Sequence, residues 1–257
     1  MNYMAEATWE NYDPEKQADL RIAKLLALFP SDVQTILDAG CGNGIITNKL
    51  IAKYQVTGLD ISPAALKYLQ CPSVQASVTE IPFPDRSFDV IICNEVLEHL
   101  DNASLQKAFP ELKRVAKKYI IISVPHKEQL EKLYYRCANC GFIEHPYGHL
   151  QSFSEETLST YLAPEFYLKK REIFGPLNRD FIPLLLNIKQ HWLKQWFNPA
   201  SGFKCSRCQQ EKFEINKSLL TKGINLLNRL LVHPRPYWYM GLFIRKFTQK
   251  SIIPWLL

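Results

Sequence analysis

The segment Ile36-Leu37-Asp38-Ala39-Gly40-Cys41-Gly42-Asn43-Gly44 decides the fold. Val33 to Leu37 reads as a buried strand ending at Asp38, a glycine-rich turn follows, and a helix is expected from about Ile45 to Lys53. Glycine lets the backbone turn tightly and lets a ligand come close. The helix that follows aims unpaired N–H groups at that ligand. Gln55 to Leu59 reads as a second strand ending at Asp60, whose carboxylate can accept hydrogen bonds from two ribose hydroxyls. The dinucleotide fingerprint G-x-G-x-x-G/A is not completed, because Ile45 stands three residues after Gly42. Asp38 ahead of the first glycine also suits a cationic ligand better than a pyrophosphate.

Working outward, Ile22, Leu25, Leu26 and Phe29 give a helical period that Pro30 stops. Ser62-Pro63 starts a further helix, with Ser62 as its cap. Phe88 to Cys93 reads as a strand, Leu105 to Lys117 as a helix and Tyr119 to Ser123 as a strand. Strands alternating with helices imply βαβ units and a parallel, doubly wound sheet. Glu155 to Leu162 reads as a helix, Tyr167 to Phe174 as a strand and Tyr237 to Phe247 as a closing strand.

Three blocks in order carry a family resemblance: the glycine segment, Gly58-Leu59-Asp60-Ile61-Ser62, and IPFPDRSFDVIICNEVLEHL at 81–100. Together they resemble class I S-adenosylmethionine (SAM)-dependent methyltransferases, strongly over residues 30–125 and weakly over 147–175 through Gly148-His149-Leu150-Gln151-Ser152-Phe153-Ser154. The resemblance implies an α/β, Rossmann-like fold with a mostly parallel seven-stranded sheet, helices on both faces and an inserted cap. It implies that Gly40, Cys41 and Gly42 pass the methionine part of SAM by backbone contact. Asp38 would orient the loop, Asp60 would hold the ribose, Ile61 would lie against the adenine, and Asn94 would face the methionyl group. Ser77, followed by Val78, stands where the family often has an aspartate near the adenine amino group.

Two C-x-x-C pairs, Cys137/Cys140 and Cys205/Cys208, have the spacing of thiolates on a tetrahedral Zn²⁺. Seven cysteines, four of them paired this way, point to a reducing compartment and a structural zinc rather than a disulfide framework. Such a zinc would staple two insertions above the sheet. His126, His149 and His99 are candidate bases for deprotonating an acceptor, with His145, Tyr147 and Glu144 as further options. Glu95, Glu98 and His99, at i, i+3, i+4, would share a helix face and could hold a divalent cation; they resemble the E-x-x-E-H of quinone-pathway O-methyltransferases.

The expected organisation is an N-terminal lid segment at 1–14, a SAM-binding core at 15–175 with an insertion at 127–150, a helical cap at 176–237 carrying the second cysteine pair, and a closing strand and tail at 238–257. Apolar residues in the cap, Phe181 to Ile188, Trp192, Trp196, Phe197 and Leu219 to Leu231, are expected to cover the core or to form an apolar pocket or interfacial patch helped by Lys222, Arg229 and Arg235. A hydrophobic fraction of 47% and a charged fraction of 22% exclude wholesale disorder. The net charge of +6 is spread along the chain, so it marks no nucleic-acid footprint. With neither a leader-like apolar stretch nor a membrane span in the sequence, a cytoplasmic enzyme is expected. Its expected activity is O-methylation of a small, sugar-linked or lipid-linked acceptor, with peripheral membrane contact as an option. The competing readings are an RNA or protein methyltransferase, and a SAM-binding zinc scaffold without turnover.

Overall fold

β4 (Phe88–Asn94) is buried at every position, which requires apolar layers on both sides of it. Val90 and Ile92 point into one core, and Ile91 and Cys93 into the other. The computed structural model describes residues 15–246. Seven strands form one sheet in the order β3-β2-β1-β4-β5-β9-β8. They are β1 (Thr35–Ala39), β2 (Gln55–Asp60), β3 (Ser73–Gln75), β4, β5 (Ala116–Pro125), β8 (Phe166–Asn178) and β9 (Arg235–Arg245). β9 is antiparallel to both β5 and β8, while β1 to β5 pair in parallel. This is the Rossmann-like class I methyltransferase fold. A second sheet pairs β6 (Tyr135–Arg136) with β7 (Ile143–Glu144).

The helices follow the apolar stripes. α1 (Glu15–Leu28) turns Ala18, Leu25 and Leu28 inward. Two short helices, α2 (Thr47–Leu50) and α3 (Pro63–Leu66), follow β1 and β2. The Ser62 hydroxyl caps α3 by accepting from the Ala65 N–H at 3.3 Å. α4 (Asn102–Val115) buries Leu105, Ala108, Phe109, Leu112 and Val115, a 3.6-residue stripe, and Asp101 caps it by accepting from Ser104 N–H at 2.7 Å. α5 (Leu130–Leu133) precedes the small sheet, and α6 (Glu155–Leu162) adds Leu158 and Leu162 to the α4 face. α7 (Pro183–Asn187) and α8 (Leu219–Leu231) lie between β8 and β9.

Several boundaries differ from the sequence reading. The helix expected over 45–53 is regular only at α2, because residues 41–46 stay in turns around the glycine loop. α4 starts three residues earlier than expected and stops at Val115, since Ala116 and Lys117 already belong to β5. β8 runs through to Asn178, past the expected division at 175, and β9 begins at Arg235, ahead of the expected 238. The expected lid at 1–14 and the tail beyond 246, including Phe247, lie outside the described residues. Among the described residues no helix is long and apolar enough to cross a membrane.

Gly40 has φ +84°, and a Cβ built on it would meet Val96 Cγ2 at 2.2 Å. Gly40→Ala is expected to destabilise the fold by about 2 kcal/mol or more, from left-handed strain plus overpacking. Chemical denaturation of the purified variant measures this.

Candidate active site

Parallel strands end at one edge of the sheet, and there the loops leave a crevice. A cavity of about 650 Å³ opens at that edge. Its lining includes Asp38, Gly40, Cys41, Gly42 and Asn94, together with Glu98, His99, Tyr147 and His149, and Arg21 and Trp238.

The glycine loop is anchored by β2. Gly40 N–H and Cys41 N–H both donate to Leu59 O, at 2.7 and 3.0 Å. The Asp60 carboxylate accepts from Gly42 N–H on one oxygen and from Ser62 N–H on the other, both at 2.8 Å. Asp38 is fully buried and accepts from the Thr47 hydroxyl at 2.7 Å; burial raises its pKa to about 6, against the pull of that hydrogen bond. The Asn94 side chain is 8% exposed, and neither its amide nitrogen nor its oxygen has a partner. An unpartnered buried amide on a cavity wall has both its donor and its acceptor free for a group that enters the cavity.

The remaining cofactor candidates lie beyond this cavity's lining. Asp60 is 8% exposed and Ile61 is exposed. The Ser77 hydroxyl pairs with that of Thr79 at 2.8 Å, and Val78 is packed into the core.

Three imidazoles adjoin one another, His145 stacked on His149 and His99 edge-on to it. The His99 and His149 ring centroids are 4.8 Å apart, and those of His145 and His149 are 4.6 Å apart. His149 Nδ1 lies 2.5 Å from Glu128 Oε2, and Glu128 Oε1 accepts from the Tyr237 hydroxyl at 2.8 Å. Burial pushes the Glu128 carboxyl up, but His149 and Tyr237 outweigh this and hold it below the ordinary carboxylate value. Both oxygens of Glu98 are buried without a hydrogen-bond partner, and burial, then the nearby Glu95, raises its pKa well above the ordinary value. His126 is not part of this cluster. Its Nδ1 is buried without a partner beside β5, and it does not line the cavity.

The expected helix face of Glu95, Glu98 and His99 does not form. Glu95 has φ +54°, and only Leu97–His99 makes a short 3-10 turn. Glu95 is directed to Ser123 Oγ and Trp238 Nε1, each at 3.0 Å. Glu98 and His99 instead come within metal-ligand reach of His149.

Sequence reading missed Glu128, Arg21 and Tyr237. Arg21 shares the inward stripe of α1 with Ala18, Leu25 and Leu28; a cation in an apolar stripe was the available signal. Glu128 stands three residues past the end of a central strand, where parallel sheets place functional groups.

The four paired cysteines converge. Cys137 and Cys208 Sγ are 3.5 Å apart and Cys140 and Cys205 Sγ 3.7 Å apart, with all four within 4.8 Å of one another. Both loops turn the same way: Gly141 N–H donates to Cys137 O and Gln209 N–H to Cys205 O, each residue with left-handed φ. Tyr135, Phe203 and Phe213 pack beneath them.

Residues 37–122 match the family model described as a methyltransferase domain. A ubiquinone biosynthesis O-methyltransferase of Paracidovorax citrulli is 32% identical over 106 residues, 36% of this chain and 44% of that protein. A malonyl-[acyl-carrier protein] O-methyltransferase of Coxiella burnetii is 28% identical over 160 residues, 60% of this chain and 56% of the relative. The chain thus spans under two thirds of the length of these curated relatives. Among solved structures, a SAM-dependent methyltransferase from Archaeoglobus fulgidus superposes with a TM-score of 0.55 at 20% identity, over 94% of this chain and 97% of the other. The methyltransferase partner in a Haloferax volcanii complex with the Trm112 activator gives 0.57 at 13% identity, over 96% and 98%.

His99 and His145 each have a pKa lowered to about 4, chiefly by burial and then by His149, against an ordinary 6.5. The unfolded chain binds protons at these sites below about 6.5, while the folded chain does so only near 4. Stability is therefore expected to fall as pH drops through that window and to level off below it. Glu98 acts oppositely: its raised pKa costs stability as pH rises above its ordinary 4.5. Melting curves across pH are expected to show Glu98→Gln raising the midpoint at mildly alkaline pH and leaving it nearly unchanged near pH 4. An unchanged alkaline midpoint would mean that Glu98 has a partner.

Proposed function

We propose that this protein is a SAM-dependent methyltransferase acting on an oxygen of a small, sugar-linked or lipid-linked acceptor. The observation that carries the reading is a single cavity lined by the glycine loop, the unpartnered Asn94 amide and His149, which is paired with Glu128. Bound SAM would supply an electrophilic methyl group. Gly40, Cys41 and Gly42 offer backbone to its methionine part, with Asn94 beside it and Asp38 holding the loop. Each Asp60 oxygen keeps a lone pair after its backbone bond, enough to accept a ribose hydroxyl. Ile61 offers an apolar face for the adenine, and Ser77 and Val78 stand on the adenine side.

Methylating a hydroxyl requires removing its proton. With the His149 Nδ1 proton donated to Glu128, Nε2 is left as the acceptor at the cavity wall, the tautomer a general base needs. Glu128 is then a positioning residue, itself fixed by Tyr237. His99 and Tyr147 frame the acceptor, while His126, outside the cavity, is assigned no step. The relatives, a ubiquinone biosynthesis O-methyltransferase and a malonyl-[acyl-carrier protein] O-methyltransferase, support an oxygen acceptor of quinone or carrier-linked type.

The four thiols fit a structural zinc. Tetrahedral Zn–S bonds of about 2.3 Å put sulfurs roughly 3.8 Å apart, close to the two pairings seen, and four thiolates leave no open position. The zinc would tie the 127–150 insertion to the 176–237 cap and so fix the segment that carries His145 and His149.

Calorimetry on zinc-loaded protein is expected to show micromolar-range SAM binding. Asp60→Ala should weaken it roughly hundredfold, the loss of two charge-assisted hydrogen bonds. Methyl incorporation from labelled SAM into lipid and soluble extracts should fall about 100-fold or more in His149→Gln and Glu128→Gln, at unchanged SAM affinity. No SAM binding by folded protein would sink the reading.

Metal analysis should find one zinc per chain. Cys137→Ser and Cys208→Ser should lose it and lower the melting temperature, because the small core of Tyr135, Phe203 and Phe213 then depends on too little apolar area. Full zinc retention in both variants would refute the site.

A further inference from the structure

α8 is built inside out. Its leucines face solvent: Leu219 is 83% exposed, Leu220 69%, Leu226 58%, Leu230 71% and Leu231 60%. Its buried residues are the polar Thr221 and Asn228, at 1% and 2%. On a 3.6-residue helix these two lie on one side, seven residues apart, and the leucines sweep an arc of roughly 140° on the other. The rotation is fixed by polar anchors. Asn228 Oδ1 accepts from Ile182 N–H and its Nδ2 donates to Asp180 O, both at 2.9 Å. Ser218 and Thr221 form a capping box. The leucines therefore do not close the core, as a covering cap would, and Arg235 does not join the patch. Arg235 pairs with Asp180 at 3.0 Å and donates to the carbonyls of His126 and Lys127.

The charges define what the face meets. Lys222 and Arg229, both exposed and seven residues apart, share one flank of the leucine arc, and α8 has no acidic residue. We propose that α8 is an interfacial helix that lies in the headgroup layer of an anionic lipid bilayer. Its leucines enter the acyl boundary, and Lys222 and Arg229 extend to lipid phosphates. A second copy of the chain fits less well. Antiparallel pairing of two α8 helices would set Lys222 against the other Arg229, and parallel pairing would set each cation against its own copy. No helix carboxylate is there to neutralise either arrangement. The proposal stands apart from the methyl-transfer reading, because the face is outside the cavity.

The test is co-sedimentation of the full chain with phosphatidylcholine vesicles, with and without phosphatidylglycerol. Wild type is expected to partition onto the anionic vesicles. Lys222→Ala/Arg229→Ala should weaken that partition roughly thirtyfold, at about a fivefold loss per headgroup-facing cation, and added salt should do the same. Leu226→Glu/Leu230→Glu should abolish binding to either vesicle while leaving the melting temperature and SAM titration of the same sample unchanged. Three outcomes would overturn the proposal. They are no partition of folded wild type, partition that survives the leucine changes, and sedimentation equilibrium showing an oligomer that those changes dissociate, which would make the face a protein interface.

Discussion

The carboxylate of Asp60 holds two backbone N–H groups at once, one in the loop after β1 and one at the cap of α3. That bridge fixes the separation between the glycine loop and the end of β2. Everything that follows at this edge of the sheet is placed relative to it. It also explains why a carboxylate rather than an amide stands there: it is an acceptor on both oxygens, so it can satisfy two donors from the protein and still present lone pairs outward. Leu59 O completes the arrangement by accepting from Gly40 and Cys41, so four N–H groups of two loops are paired before any ligand arrives. A loop ordered in this way loses little conformational entropy on binding.

The histidine-lined part of the cavity runs on the opposite logic. Glu98 is a buried carboxyl with no hydrogen-bond partner, beside imidazoles that burial keeps neutral. Such a cluster lowers stability, and it persists because the end of β5, the Leu97–His99 turn and the 127–150 insertion each deliver one part of it. The left-handed backbone at Glu95 belongs to the same compromise. By turning that side chain to Ser123 and Trp238, it gives the Glu95 carboxylate partners of its own, while leaving it near enough to raise the Glu98 pKa.

The strands, the glycine loop, the cap at Ser62 and the two cysteine pairs were legible because each is set by residues adjacent in the chain. The parallel sheet followed from the alternation of strands and helices. The pairing of His149 with Glu128 was not legible: 21 residues and a two-stranded insertion separate them, and only the fold brings them to one bond. Glu95, Glu98 and His99 read as one helix face because spacing alone assumes a helix, whereas a single left-handed residue removes Glu95 from the set. Helix boundaries drifted at Ala116 because an apolar residue suits the end of α4 and the start of β5 equally well.

The direction in which α8 faces was left open between a covering cap and an interfacial patch, for a different physical reason. Periodicity identifies a helix with one apolar face, but it says nothing about which way that face turns; burial of leucine is assumed because it is the usual outcome. Here the rotation is decided by a few hydrogen bonds whose donors and acceptors lie 46 to 48 residues away in sequence, at Asp180 and Ile182. That loop is in turn gripped by Gln129, which accepts from Phe181 N–H at 2.7 Å and donates to Phe181 O at 3.0 Å, and Arg235 clamps Asp180. Rolling the leucines inward would leave the Asn228 amide and the Asp180 and Ile182 backbone groups without partners, at about 1–3 kcal/mol for each one kept from water. The helix therefore cannot bury its own apolar face, and its exposed leucines are a property of the folded chain rather than of a loosely packed end.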